Sequence, residues 1–435
     1  AQSGNTGGLT WAEMSAGVTS DAQYNTVAGT NAGDSFSGTS AIKNTLFGYN
    51  AGTAITTGDR NTIFGFECGD SLTTGQDNVL VGDQCGGSIT TAPRNVIIGS
   101  EAGNSLTTTG YNVFLGRRAG YGSTWEHNIC IGNDAGYGLT TGARNVFLGY
   151  RVGSDANTGN FNVALGSDAF QDCRGSYNVA LGADALYGGT NSTGEKNIAI
   201  GHQAMYQCTT GGNNIALGSD ALESITTGNR NVALGEDTLK TLSTGYDNIA
   251  IGRRTLKLAT TTANCIGIGF QALESITTGN NNIAIGNTAG DNTTTGYNNI
   301  SIGYNVRPAS ATTNNSITLG DANITKFRVP GIGLEADDGV LSLKTGSGSV
   351  AEARFYCESS NAHYVAIKSP AHSAYSGNVN FVLPPNGGTN GYFLKTDGSG
   401  NTSWAEAGGG LSSDSDENTI GGSFAGQSLT SGSGL

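Results

Sequence analysis

A five-residue pattern, Asn followed by an apolar triplet and Gly, returns along this chain at an almost fixed interval. In the stretch NVALGEDTLKTLSTGYDNIAIG, Asn231 to Gly235 comes back as Asn248 to Gly252, seventeen residues later. Anchored on the Gly, the pattern occurs in eighteen copies, from Gly29 to Gly320. The residue three before the Gly is Thr, Val or Ile in every copy, from Thr26 to Ile317. A column made only of β-branched residues selects strand over helix. Seventeen residues are too few for a helical solenoid repeat and enough for two short strands and two turns, the second turn falling at Thr-Thr-Gly stretches such as Thr226 to Gly228. Each copy therefore reads as one coil of a parallel β-solenoid. Stacked at strand spacing of roughly 4.8 Å, eighteen coils would make a column on the order of 85 Å long.

Each repeat position becomes a ladder along such a column. Asn occupies the position four before the Gly in sixteen copies, among them Asn61, Asn78, Asn95, Asn112, Asn145, Asn162, Asn214, Asn231 and Asn248; Cys265 and Ser316 replace it in the others. A polar residue repeated that often reads as a structural amide ladder, not a catalytic group. The position two before the Gly is large in early copies (Leu46, Ile63, Leu80, Ile97, Phe114, Phe147) and small from Ala164 onward. The position four after it does the reverse, with Gly52 to Gly153 first and then Phe170, Leu186, Met205, Leu222, Leu239, Leu256 and Leu273. Volumes that trade in step predict two columns sharing one close-packed space. Strand alternation sends successive residues of the triplet to opposite faces, yet all three are apolar. One face must fill the coil, and the other needs cover from outside, most simply from identical chains.

Composition narrows the classes. The 435 residues include 70 Gly but only 6 Pro, and hydrophobics still make up 36%, which excludes collagen and disfavours disorder. A formal net charge of -13 with 21 Lys+Arg gives no nucleic-acid footprint, and no apolar run is long enough to insert in a membrane as a helix. No export leader is visible at the N-terminus. Seven cysteines stand singly; Cys68 and Cys85 occupy the slot that elsewhere holds Ala51 and Ala102, Cys130 one used by Ala164, and on that pattern they read as small buried hydrophobes. Cys68 and Cys85, one copy apart, remain a disulfide candidate.

The position two after the Gly is polar: Glu101, Arg118, Asp134, Arg151 and Asp168 alternate in sign, predicting cross-coil pairs. Like charges then stack at Asp168 with Asp184 and at Asp220 with Asp237, where solvated carboxylates are the plain reading and a bound cation the sharper one. Two carboxylates at such spacing could suit glycoside hydrolysis, but coils that vary by one or two residues supply no loops to wall a cleft. The four His lie in unrelated contexts. No catalytic, cofactor-binding or metal-ligating set is expected, and the chain reads as a non-enzyme. Tyr111, Tyr177, Tyr246 and Tyr297, near the turn before the triplet, are candidate glycan contacts; Phe161 and Trp125 lie beside them.

Asn-Val-Ala-Leu-Gly with a following Ala and a Thr-Gly turn resembles the head repeats of trimeric autotransporter adhesins, which form left-handed parallel β-rolls with a shorter period. Segments such as ALESITTGNRNVALG, Ala221 to Gly235, are still more similar to repeats of phage tail fibres. The stretch from Ala351 to Gly408, with Tyr364 to Pro370, Leu383-Pro384 and Leu394 to Gly400, resembles a small β module frequent in tail fibres of tailed phages, cyanophages especially. Bottom-up, it reads as short strands between Pro and Gly turns. The expected organisation is the end of a preceding module over 1–24, the solenoid over 25–324, a connector over 325–350, a small β module over 351–409, and a linker with a fresh repeat over 410–435. Ser399 to Trp404 echoes Ser3 to Trp11, so the sequence is expected to begin and end inside a longer alternating fibre. The resemblance implies a homotrimeric, structural segment of a virion tail fibre, with itself, other tail or fibre proteins and host surface glycans as partners. The rival is a bacterial trimeric adhesin head at the cell surface. A monomeric solenoid binding ice or carbohydrate would want Thr at two-residue spacing on a strand, whereas the Thr pairs here are adjacent and at turns.

Overall fold

The computed structural model describes residues 19–324, apart from 157 and 190, and the short segments 352–356, 364–368, 384–387, 392–397, 402–406, 412–413 and 419–420. The chain divides into two units, Ala1–Phe327 and Arg328–Leu435. The described part of the first is all β. Strand β1 (Thr19–Ser20) pairs antiparallel with β2 (Thr26–Ala28), and from β2 to β19 (Ile317–Leu319) eighteen three-residue strands form one parallel sheet in sequence order. The register is one repeat per step, as where Val232, Ala233 and Leu234 of β14 (Val232–Leu234) lie beside Ile249, Ala250 and Ile251 of β15 (Ile249–Ile251). The parallel solenoid of about seventeen-residue coils is thus the fold.

Each coil holds one strand, not the two expected. Opposite the strand, the coils still join, as where Leu222 N–H donates to the Thr238 carbonyl at 3.0 Å and Thr226 N–H to Ser243 at 2.9 Å. Their backbone there is a chain of turns, because several positions per coil take positive φ. Before each Asn the residue is left-handed (Arg230, φ 56°), as are those two and four after the Gly (Asp237, 57°; Leu239, 51°). An extended run cannot pass through such positions. The hydroxyls on that side stay in the ladder: Thr209, Thr226, Ser243, Thr260 and Thr277 each donate from the side chain to a carbonyl one coil on, at 3.0 to 3.2 Å.

Alternation resolves the two apolar faces. The middle residue of the triplet is buried from Leu46 to Ala284, and its neighbours are half-buried or exposed. Inside, the exchange of volume is a shared space: a methyl placed on Gly153 would lie 2.6 Å from the Phe147 ring, and one on Gly267 would lie 2.3 Å from Leu256 Cδ1. Where Gly gives way to Leu four after the anchor, the left-handed backbone stays, so Leu222, Leu239 and Leu256 hold φ of 50 to 53°. Each such residue costs about 1 kcal/mol of backbone strain, which burial of a leucine, worth about 2 kcal/mol, offsets.

The anchor glycine is fixed more strictly. At Gly218 φ is 137°, and an added Cβ would lie 2.5 Å from the carbonyl oxygen of Gly235 in the next coil. Gly alone visits that region freely, and only Gly lets the coils approach so closely.

In the second unit, Glu352–Tyr356 pairs antiparallel with Tyr364–Lys368, and Tyr392–Thr396 with Thr402–Glu406. Short strands Ser412–Ser413 and Thr419–Ile420 also pair antiparallel. The connector, Cys357, the Ser3 to Trp11 echo and most of the fresh repeat lie outside the described residues.

Substituting Gly218→Ala should lower unfolding free energy by about 3 kcal/mol or more, since strain and clash add. Urea denaturation followed by far-UV circular dichroism tests this; a loss under about 1 kcal/mol would show that the coils can part locally without penalty.

Candidate functional site

The polar and aromatic side chains of the described coils stand in ladders, one per repeat position. The Asn ladder is buried throughout. Along most of the ladder the Asn side-chain oxygen accepts twice from the next Asn, from its backbone N–H and its amide, while Asn112 and Asn178 accept the backbone N–H of Asn128 and Asn197. Asn231, for example, receives Asn248 N–H at 3.1 Å and Asn248 Nδ2 at 2.9 Å. Its own Nδ2 donates to Asn214 Oδ1 at 3.1 Å and to the Gly245 carbonyl at 2.9 Å, tying the entrance of the strand to the opposite turn. Asn61, Asn78, Asn145, Asn162, Asn214 and Asn248 repeat this Nδ2 bond to the opposite turn, while Asn95 and Asn112 bond the nearer carbonyls of Pro93 and Gly110. All nine bonding sets lie within the coil wall, as an amide that must satisfy buried groups should.

At Cys265 the ladder is interrupted. Its N–H still donates to Asn248 Oδ1 at 3.0 Å, but the thiol turns to the Gly279 carbonyl at 3.4 Å, and burial pushes it up to about 11. The five other described cysteines are also free, buried thiols. Cys68 and Cys85 are among them, adjacent in one inward column, where hydrogen bonding to Cys85 and burial push the Cys68 thiol up.

The charged ladder pairs as alternation required: Arg118 with Asp134 at 2.7 Å and Arg151 with Asp168 at 3.4 Å. At the like-charged pair Asp220 and Asp237, the cation is a side chain. Lys240 Nζ lies 2.9 Å from Asp220, 3.1 Å from Asp237 and 3.2 Å from Glu223, while Lys257 Nζ reaches Asp237 at 2.8 Å. Burial works against the Asp237 carboxylate, but hydrogen bonds from Lys257 and Lys240 outweigh it and hold its pKa below the usual value. Hydrogen bonding to Asp220 and its acidic neighbours raises Lys240. Lys240 belongs to the column five after the Gly, and the run Glu223, Lys240, Lys257 and Glu274 there, beside the aspartate column, carries the signal that column-by-column reading of the aspartates alone does not use. Among the described residues, no cluster of three or more His, Cys, Asp and Glu has metal-ligand geometry. A recess of about 230 Å³ beside Glu67, Asp70, Gln84, Gly87, Ser88 and Asn104 exists because Gly87 omits a side chain from the column holding Asp70 and Asn104.

The four tyrosines are not brought together. Tyr111 and Tyr177 stand in the column just before the Asn, and Tyr246 and Tyr297 one residue earlier. Tyr111 is sandwiched, with the Arg94 guanidinium 5.4 Å from its ring centre and His127 stacked at 5.1 Å. Tyr177 stacks on Phe161 at 5.1 Å, and Arg144 covers the far face of Phe161 at 5.4 Å. Stacking along the column thus occupies ring faces that a sugar would need. Tyr246 and Tyr297, each nearly half exposed, have no stacked ring among the described contacts.

Asn231→Ala should cost on the order of 3 kcal/mol, because buried donors on Asn248 and a carbonyl on Gly245 lose their partners, whereas Cys265→Asn should add about 1 kcal/mol by resuming the ladder; paired urea titrations give both. Lys240→Met should cost about 2 kcal/mol at neutral pH. A carboxylate with depressed pKa contributes above its unfolded value, so the wild type should lose this increment as pH falls below about 4, and the two proteins should converge there. No protein-family model matches the chain, and no curated protein or solved structure matches it significantly.

Proposed function

We propose that this chain is a structural, length-building segment of a homotrimeric fibre, of the kind found in phage tails, and that its work is mechanical. The observation that supports this most is the outward apolar strip. Residues three and one before each Gly point away from the core and are half-buried to exposed, Val163 with Leu165 and Ile249 with Ile251 being more than a third exposed. The same two columns continue through eighteen strands. Single exposed hydrophobics need no explanation, but a contiguous strip of this length calls for cover.

Identical chains offer that cover at every level simultaneously, and three strips around an axis would form a dry core as long as the solenoid. Polar ladders bonded from coil to coil on the other walls fit a scaffold, and among the described residues none leaves a group poised for proton transfer or nucleophilic attack. Such a segment would hold a recognition element away from a particle, with other fibre proteins at its ends. Tyr246 and Tyr297 would be its open aromatic contacts for surface glycans, individually weak and multiplied by copy number.

Light scattering combined with sedimentation on the whole chain tests the assembly. A strongly asymmetric particle near three times 44.1 kDa is expected. A stable monomer at 44.1 kDa would overturn it.

A further inference from the structure

Resting on the assembly read above, we propose that the copies pack parallel and in register around a cyclic axis, with the residue before each Asn on one copy facing the residue after the anchor Gly on the next. Those residues flank the apolar strip at its two edges. Around a cyclic axis the leading edge of one strip meets the trailing edge of its neighbour at the same level. The apolar strip sets that level weakly, because from Val79 onward sliding by one coil replaces Val, Ile or Leu by another of the three. The edges set it more firmly.

Paired level by level, the edges are complementary. At Gly235 the pair is Arg230 with Glu236, and at Gly252 it is Asp247 with Arg253. Within one chain Arg230 already pairs with Asp247 at 2.7 Å, and Arg253 with Glu236 at 3.3 Å. Two such edges in register make a four-charge checkerboard in which every neighbour, along and across, has opposite sign. All four side chains are 38 to 58% exposed and free to meet a partner. Nearer the N-terminus the pairs are cation with ring: Lys43 with Tyr49, Arg60 with Phe66, Tyr111 with Arg117 and Arg144 with Tyr150.

Two levels run against this. Asp77 faces Asp83 at Gly82, although Arg60 and Arg94 flank Asp77 in its own column, and Lys196 faces His202 at Gly201. Slippage is worse. A one-coil slip in one direction sets Arg94 against Arg117 and Arg230 against Arg253, and in the other it sets Asp247 against Glu236; either slip brings one arginine, Arg60 or Arg94, opposite Asp83 but loses both opposite-charge pairs at Gly235 and Gly252. Like charges brought together disfavour the wrong pairing, which is how charge selects register.

The test inverts one edge at a time while keeping each pair within the chain. One variant carries Arg230→Asp with Asp247→Arg, the second Glu236→Arg with Arg253→Glu, and the third all four changes. Assembly is followed by sedimentation over a dilution series of the whole chain. Each single-edge variant should assemble about tenfold more weakly or worse, and the four-fold variant should recover. As a second measurement, a chain with Asn213→Cys and Ser219→Cys should give covalent multimers under mild oxidation, because those positions meet at the level of Gly218. If all variants assemble like the wild type and no cross-link forms, the register is overturned while the trimer stands. If the wild type itself is monomeric, the trimer reading fails and the register with it.

Discussion

Everything in the solenoid depends on one constraint: each coil must satisfy its backbone and its buried amide through the coil before and the coil after. The strand ladder supplies part of this, with Gly235 N–H donating back to Leu217 at 2.7 Å and Val232 N–H donating on to Asn248 at 2.8 Å. The Asn side chain supplies the rest by joining the strand entrance to the far turn. Backbone groups that fail to pair in a buried setting are costly, so the register of one coil dictates that of the next. The anchor Gly sets how closely the coils approach, and the inward columns then fill what space remains. Contacts reach only neighbouring coils, so the energetics are close to a sum of repeat and interface terms.

Much of this was legible in the sequence, for physical reasons. A β-branched residue at one fixed position marks the strand, and an amide recurring at another marks a ladder. Reciprocal volumes at Phe147 and Gly153, or at Gly267 and Leu256, identified two columns that touch. Other features were hidden. Val, Ala and Leu in one triplet do not say which is inside, since all three are apolar; size offers a clue, for the middle residue shrinks only where a leucine enters elsewhere. The second strand was a wrong expectation because the left-handed residues are Arg, Asp and Leu as often as Gly, and their conformation leaves no compositional mark. The Gly-to-Leu column contained the hint, since a site that takes Gly in one half has a backbone that Gly suits.

The surface was less readable than the core. Alternating charge predicted Arg118 with Asp134 and Arg151 with Asp168 because ladder spacing brings them within reach. Lys240 was missed because it belongs to a different column from the aspartates it joins. The aromatic candidates were placed near the right turn, but a sequence does not show that Tyr111 will lie between Arg94 and His127. A ladder favours face-to-face contact of like rings one step apart, which turns a row of separate aromatics into a continuous stack.

The interruption at Cys265 has a consequence for load. Hydrogen bonds between coils run along the stacking direction, so a pull on the chain ends would test them in series and peel coils one at a time. Coils joined through paired amides would yield at similar force. The step between the coil of Cys265 and that of Asn282 lacks the amide acceptor altogether and would give way at lower tension, making that one thiol a fuse within the column.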